Sequence, residues 1–426
     1  MIFRKSYFCS SISQSMYIKF HISQALLLVM AFCLLITTST SAYTNSPLWV
    51  LTANEDYEID INAVDISSDG SYVVAGTENN YISLIDKNGQ YIWKYFADGA
   101  IYEVAISRDG QYIAAGGFDG TVYFFQRNGE KIWESPGGAI YELAMSDDGE
   151  YVAISRSSNS LVGFSRPCTI ECYNREGLKI WDYPTKDWVH SLDITSDGSY
   201  VAMGCGDGNA YLFNREGDLL WSFKTGDDVW SVAISPDGSY IAAGGDDEKV
   251  HLISKSGEEI WWSPMYVYSE YFQANRGTQV LDVEIVRDGS MVLAGGKGHN
   301  DLFYLYNATG YYAHLTCEED IFGVRDIEVD DSGQYFVTYS PTDDYDNIRV
   351  FDINGRNIWN FKTKDYQNCI GISGDGRYVV VGSNDGHIYF FSNTVQPKQT
   401  APSVPLLGII SIVLCAGILR KKNLRG

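Results

Sequence analysis

Eight positions, each recurring at the same place in an internal repeat, hold Asn62, Tyr102, Tyr141, His190, Trp230, Leu281, Arg325 and Asn368. Aromatic faces, amides, an imidazole and a guanidinium are the groups that recognise peptides and carbohydrates. Leu281 is the apolar exception, so the candidate binding set is Asn62, Tyr102, Tyr141, His190, Trp230, Arg325 and Asn368. The next position reads Ala63, Glu103, Glu142, Ser191, Ser231, Asp282, Asp326 and Cys369. Carboxylates at close range can act as acid and base or hold calcium. More commonly such side chains bond neighbouring backbone amides, and no catalytic, cofactor or metal residue is assigned. One position further the column is apolar, from Val64 and Val104 to Ile327 and Ile370, as packing between repeats requires.

Other chemistry finds little support. His190, His251 and His387 fall in different repeats, His299 and His314 share the sixth, and none has paired spacing, which argues against zinc. Asp344-Tyr345-Asp346 lacks the glycine and the distal glutamate of a calcium loop, and there is no Gly-x-Ser-x-Gly or phosphate loop. Of eight cysteines, Cys168, Cys172, Cys205, Cys317 and Cys369 lie between the two ends, an odd number at irregular spacing and no disulfide framework. Cys172 takes the place of Leu84, Phe124 and Leu212 in other repeats and reads as a small core residue.

The elements that position these columns are short strands. An apolar run closed by Ser-x-Asp-Gly-x-Tyr or a close variant recurs with its glycine at Gly70, Gly110, Gly149, Gly198, Gly238, Gly289, Gly333 and Gly376. The interval is that of four short strands. In the second repeat, strand a is Ile101 to Ser107 and strand b Tyr112 to Gly116; strand c is Thr121 to Phe125, and strand d carries Trp133. Asn-Gly and Asp-Gly close the hairpins because those turns need positive φ. Trp93, Trp133, Trp181, Trp221, Trp261 and Trp359 each follow a turn glycine by four residues, with His314 in the sixth repeat. The eighth repeat ends at Phe391 without a strand d, and an unmatched Leu48-Trp49 precedes the first. The fold predicted is all-β: one eight-bladed β-propeller over residues 46–394, closed by an N-terminal strand at Pro47 to Leu51.

Asn88-Gly89-Gln90-Tyr91-Ile92-Trp93 resembles the tryptophan-docking motif of quinoprotein (pyrroloquinoline-quinone dehydrogenase-like) propellers, and Ile234-Ser235-Pro236-Asp237-Gly238-Ser239-Tyr240 is similar to WD-repeat propellers. The type resembled is the secreted or surface-anchored prokaryotic one, archaeal above all. The resemblance implies architecture, with tryptophans packed between adjacent blades. It does not imply the enzyme: those dehydrogenases hold their quinone with a vicinal disulfide, a bound calcium and an Asp base, and this chain has no Cys-Cys pair. Fold analogy alone supplies no activity.

Ala25 to Ile36 is apolar, preceded by Lys19 and followed by Thr40-Ser41-Ala42, which predicts a signal peptide over residues 1–42; Met16 would begin one of more usual length. Residues 395–405 read as a linker, 406–419 as a hydrophobic helix serving as membrane anchor or sorting signal, and 420–426 as a basic cytoplasmic tail. This layout resembles C-terminal sorting signals of archaeal and bacterial surface proteins. The ends carry no carboxylate and seven of the 31 cations, so the body between them holds 54 Asp and Glu against 24 Lys and Arg. Such a surface makes nucleic acid and anionic head groups poor partners.

Strand a crosses the ring, so a–b and c–d turns share one face and b–c and d–a loops the other. Variation collects on the second face: Arg156 to Pro167, Ser263 to Gln279 with Tyr266, Tyr268, Tyr271 and Phe272, and Asp343 to Asp346. The expectation is a non-enzymatic module at the outer cell surface, binding a protein or glycan of the envelope through that face. The alternatives are an exported propeller enzyme, quinone-dependent or a hydrolase using the carboxylates, and a structural spacer.

Overall fold

The computed structural model describes residues 43–53, 59–157, 168–269, 274–287, 289–297, 302–307, 309–310, 312–316, 324–340, 348–365 and 367–393. The chain divides into residues 1–43 and 44–426; of the first unit only Tyr43 is described, and the fold below is that of the second. The expected signal peptide, linker, hydrophobic helix and basic tail, and most of the insertion from Arg156 to Pro167, lie outside the described residues.

All regular elements among the described residues are strands. Eight sheets repeat one antiparallel order, a-b-c-d. In blade 2 the strands are Ile101–Ile106, Tyr112–Gly117, Thr121–Gln126 and Lys131–Pro136. Strand a of the other blades is Ile61–Ile66, Ile140–Met145, Val189–Ile194, Val229–Ile234, Val280–Ile285, Asp326–Val329 and Gln367–Ile372. Blade 8 takes its strand d from the front of the chain: Trp49–Thr52 runs antiparallel to His387–Ser392, with Trp49 opposite Phe390 and Thr52 opposite His387. The closing strand expected at Pro47 to Leu51 is thus present, shifted towards the first blade. The stretch from Ser263 to Gln279, expected as a loop, contains a hairpin of Tyr266–Ser269 and Ala274–Gly277.

Turn chemistry accounts for the repeated sequence. Ser107 Oγ accepts the N–H of Tyr112 at 2.9 Å and donates to Asp109 Oδ1 at 2.8 Å, while Asp109 Oδ1 accepts the N–H of Gln111 at 2.9 Å. These bonds satisfy a tight turn whose Gly110 has φ +67°. The tyrosine that follows the turn then packs on the next blade: the ring of Tyr72 lies against Gly110, and Arg127 covers that ring at 5.0 Å.

Strand d makes the second interblade contact. Trp93 Nε1 donates to Arg127 O at 2.9 Å, Trp133 to Arg175 O at 2.9 Å, Trp181 to Arg215 O at 3.1 Å and Trp221 to Lys255 O at 3.0 Å. The closing strand obeys the same rule, with Trp49 Nε1 donating to Lys87 O of blade 1 at 3.0 Å and its indole stacked on Phe390 at 4.8 Å. A Cβ on Gly89 would stand 2.9 Å from that indole, and its φ of +79° disfavours any other residue. The core lies in wedges between blades. One holds Ile101, Val104 and Ile106 of one strand a against Val74, Ile82 and Leu84 of the preceding blade, sealed by Trp93.

On the face of the a–b turns a hoop of backbone bonds joins successive blades. Ser68, Arg108, Asp147 and Ser196 donate their N–H groups to the carbonyls of Arg108, Asp147, Ser196 and Pro236 in turn, and Asp375 donates to Ser68. Trp49→Ala removes the stack, the hydrogen bond and the seal at the closure, and should lower unfolding free energy by about 2–3 kcal/mol. Urea denaturation checks the value, and hydrogen exchange should report the largest change in strands His387–Ser392 and Tyr378–Ser383.

Candidate functional site

The central channel is built from strand a. In seven blades the register slips between its first and third residues, as between Ile101 and Glu103 opposite Gly117 and Gly116. Such a bulge re-aims the extra residue. The second residue therefore joins the third at the channel, instead of facing away from it as strict alternation would have it.

At the mouth the aromatic members of the candidate set form one arc. Tyr102 meets Phe118 edge-on at 4.6 Å, Phe118 lies 6.5 Å from Tyr141, and Tyr141 stacks near Trp188 at 6.4 Å. Trp188 is 6.2 Å from His190, which lies 4.3 Å from Trp230. Acids and amides fix both ends. Asn62 Nδ2 and Tyr102 OH donate to Glu78 Oε2 at 3.1 and 3.0 Å, while Trp230 Nε1 and Gln279 Nε2 donate to Asp246 Oδ1 at 2.5 and 2.8 Å. Phe118 (40 % exposed) and Trp230 (37 %) offer their rings to solvent. Glu78, Phe118 and Asp246 belong to b–c hairpins and Trp188 and Gln279 to d–a loops, so these loops share this face.

Arg325 is exposed in the corresponding place on blade 7, Asn368 occupies it on blade 8, where its side chain lies outside the described residues, and Leu281 occupies it on blade 6. Sequence reasoning missed Phe118 and Trp188. Phe118 is visible only when hairpin tips are compared across repeats, and Trp188 only by its place two residues before His190.

Below the mouth the walls are acidic. Position three supplies Glu103, Glu142, Asp282 and Asp326; position five, about 7 Å deeper, supplies Asp65, Asp193, Glu284 and Glu328, a column not singled out from the sequence. The aspartates stitch blades together. Asp65 accepts the N–H of Ile106 at 2.8 Å, Asp193 that of Ile234 at 2.7 Å and Asp282 that of Ile327 at 2.7 Å; Asp326 bonds Ile370 N–H. Ser191 and Ser231 do the same for Val232 and Val283, each at 3.1 Å. Glu103, Glu142, Glu284 and Glu328 accept no hydrogen bond from the described residues.

Electrostatics follow from this enclosure. Burial pushes Glu103 up to about 8, helped by the charge of Asp326. Burial, then neighbouring carboxylates, hold Glu142, Glu284 and Glu328 well above their ordinary range. Burial raises Asp65 to about 6 and Asp193 to about 7, with the backbone bonds opposing it. Among the described residues no group of three or more His, Cys, Asp or Glu is placed to hold a metal ion.

The opposite end of the channel is spanned by charged side chains. Arg108 of blade 2 reaches Asp331 of blade 7, with Nη1 donating to Oδ1 at 2.7 Å. Arg287 of blade 6 pairs with Asp147 of blade 3 at 2.6 Å and lies 3.8 Å from Asp331. The channel is thereby a funnel, crossed by ion pairs on the turn face and rimmed by the aromatic arc on the other.

The raised carboxylates set a pH dependence. A folded-state pKa above the unfolded value makes the native state the better proton binder, so stability falls as pH rises from the ordinary value of 4.5 to about 8 for Glu103. The turn aspartates act lower down. Hydrogen bonds from Ser239 hold Asp237, and one from Gln90 N–H holds Asp86, below the usual range, so their contribution is lost on acidification below about pH 4. Thermal unfolding should give the highest Tm near pH 5 and a decline towards pH 8.5, and Glu103→Gln should flatten that decline.

The comparisons bear on the fold. Residues 37–148 and 161–280 match the family model "Lambda-carrageenase beta-propeller domain", and residues 355–392 match "WD domain, G-beta repeat". No curated protein matches the chain. Among solved structures, the crystal structure of the computationally designed Ika8 protein is similar over 82% of this chain and 99% of that one, at 17% identity and a TM-score of 0.63.

Proposed function

Because the chain belongs to the lambda-carrageenase beta-propeller domain family, with more than half its length matched, we propose that it uses this fold as a non-enzymatic binding module. It receives a protein partner of the cell envelope on the b–c and d–a face. The observation that carries the reading is the unbroken arc from Tyr102 to Trp230, framed by Glu78 and Asp246, on one face of a ring whose other face is closed by turns and ion pairs. Preformed aromatic surfaces with fixed polar neighbours make anchors at low entropic cost. The leader, linker, hydrophobic segment and basic tail read from the sequence support an exported protein anchored at the outer face of the membrane, with the propeller outward.

A second reading, a polysaccharide-binding or -cleaving protein, draws on the family's name and on Glu103, whose raised pKa would suit a general acid. Carrageenan is a sulfated polyanion, however, and a body with 54 Asp and Glu against 24 Lys and Arg, its funnel lined by eight carboxyl groups, repels such a chain. Four of those carboxylates are also committed to backbone bonds between blades.

The combined variant Tyr102→Ala, Tyr141→Ala and Trp230→Ala should keep a single cooperative unfolding transition yet bind partners at least about tenfold more weakly. Arrays of envelope proteins and glycans probed with both forms check this. Retained binding would favour a spacer, and saturable turnover of an oligosaccharide would favour the enzyme.

A further inference from the structure

We infer that the funnel is a receptor for a protonated amine, received between the aromatic arc at its mouth and the free glutamates of its throat. The inference rests on the binding reading above and names the chemistry of the guest that enters. Three independent features converge. The mouth carries the rings of Tyr102, Phe118, Tyr141, Trp188 and Trp230, with Phe118 and Trp230 exposed, and aromatic faces attract ammonium groups, more strongly once water is excluded. The throat divides its acids by length. All four aspartates are bound to backbone N–H groups of the next blade, whereas Glu103, Glu142, Glu284 and Glu328 accept no hydrogen bond from the described residues. The far end is closed by Arg108 with Asp331 and Arg287 with Asp147, so a guest stops at the acids.

Charge and spacing select among cations. No three or more His, Cys, Asp or Glu among the described residues are grouped to hold a metal ion, while an ammonium on a flexible stem needs only one or two carboxylates and an aromatic wall. Asp326 faces Glu103, Glu103 and Asp282 face Glu142, Cys369 lies near Glu103, and Arg325 and Tyr339 face Asp326. A cationic guest therefore meets a proton-loaded wall. Binding drives one or more glutamates to ionise and releases their protons to solvent, so affinity rises with pH between about 6 and 8.5. The ammonium group is common to a lysine side chain of a protein partner and to a free polyamine.

Titration calorimetry of the detergent-purified full chain with blocked hexalysine, spermine and hexaglutamate tests this at pH 6 and pH 8.5. Hexalysine should bind at least about tenfold more tightly at pH 8.5, hexaglutamate not at all, and runs in two buffers of different ionisation enthalpy should show proton release. Spermine binding as tightly as hexalysine identifies a small amine as sufficient; hexalysine alone identifies a protein side chain. The Glu103→Gln, Glu142→Gln variant should lose about tenfold in either affinity and most of the proton release. Should that variant fold poorly, the wild-type pH and buffer dependence decides by itself. Absence of binding by both cations, binding that weakens as pH rises, or affinity unchanged in the variant would overturn the inference. Partner binding lost on changing Tyr102, Tyr141 and Trp230, with no amine bound anywhere, would leave the module reading standing and remove only this one.

Discussion

An aromatic ring resting on a glycine of the next blade is the contact on which the rest of the molecule depends. It occurs on strand d, where Trp49, Trp93, Trp133, Trp181 and Trp221 lie over Gly89, Gly129, Gly177, Gly217 and Gly257, and again where tyrosines beginning strand b lie over the a–b turn glycines. Each contact needs a flat, large group on one side and bare backbone on the other, so both halves recur around the ring; blade 6 departs, with His314 and Met291 at the two positions. Apolar wedges between sheets supply most of the burial, but they do not fix the rotation of one blade on the next. The indole hydrogen bond to a turn carbonyl does.

In the channel a single methylene separates two roles. An aspartate at the third or fifth residue of strand a reaches the N–H of the neighbouring strand a and joins two blades. A glutamate in the same columns accepts no such bond from the described residues, and burial, then like charges, push its carboxyl above the ordinary range. Structure and recognition are thereby written in the same columns with two acids that differ by one methylene.

Much of this is legible in the chain. The turn motif fixes the number of blades because Ser, Asp, Gly and Tyr each satisfy a separate requirement of one tight turn. The missing strand d of blade 8 and the unmatched Trp49 identify the closure. The loop face is set by strand direction, and the mouth column by its contrast with the apolar one two residues on. The features that escaped did so for physical reasons. Strict alternation does not foresee a bulge in strand a, so the side chains of positions two and three are separated on paper and neighbours in space. The acids at position five alternate with alanine and glycine, in blades 2, 3, 5 and 8, and so do not read as a column. Phe118 and Trp188 come from loops, whose convergence on the mouth is a property of the closed ring and of no single repeat.

The ion pairs from Arg108 to Asp331 and from Arg287 to Asp147 turn the propeller's axis into a cul-de-sac. A polymer cannot be threaded through such a ring and handed on from the far side. Whatever enters must be a chain end or a side branch, and it must leave by the door it used, so residence is governed by a single exit.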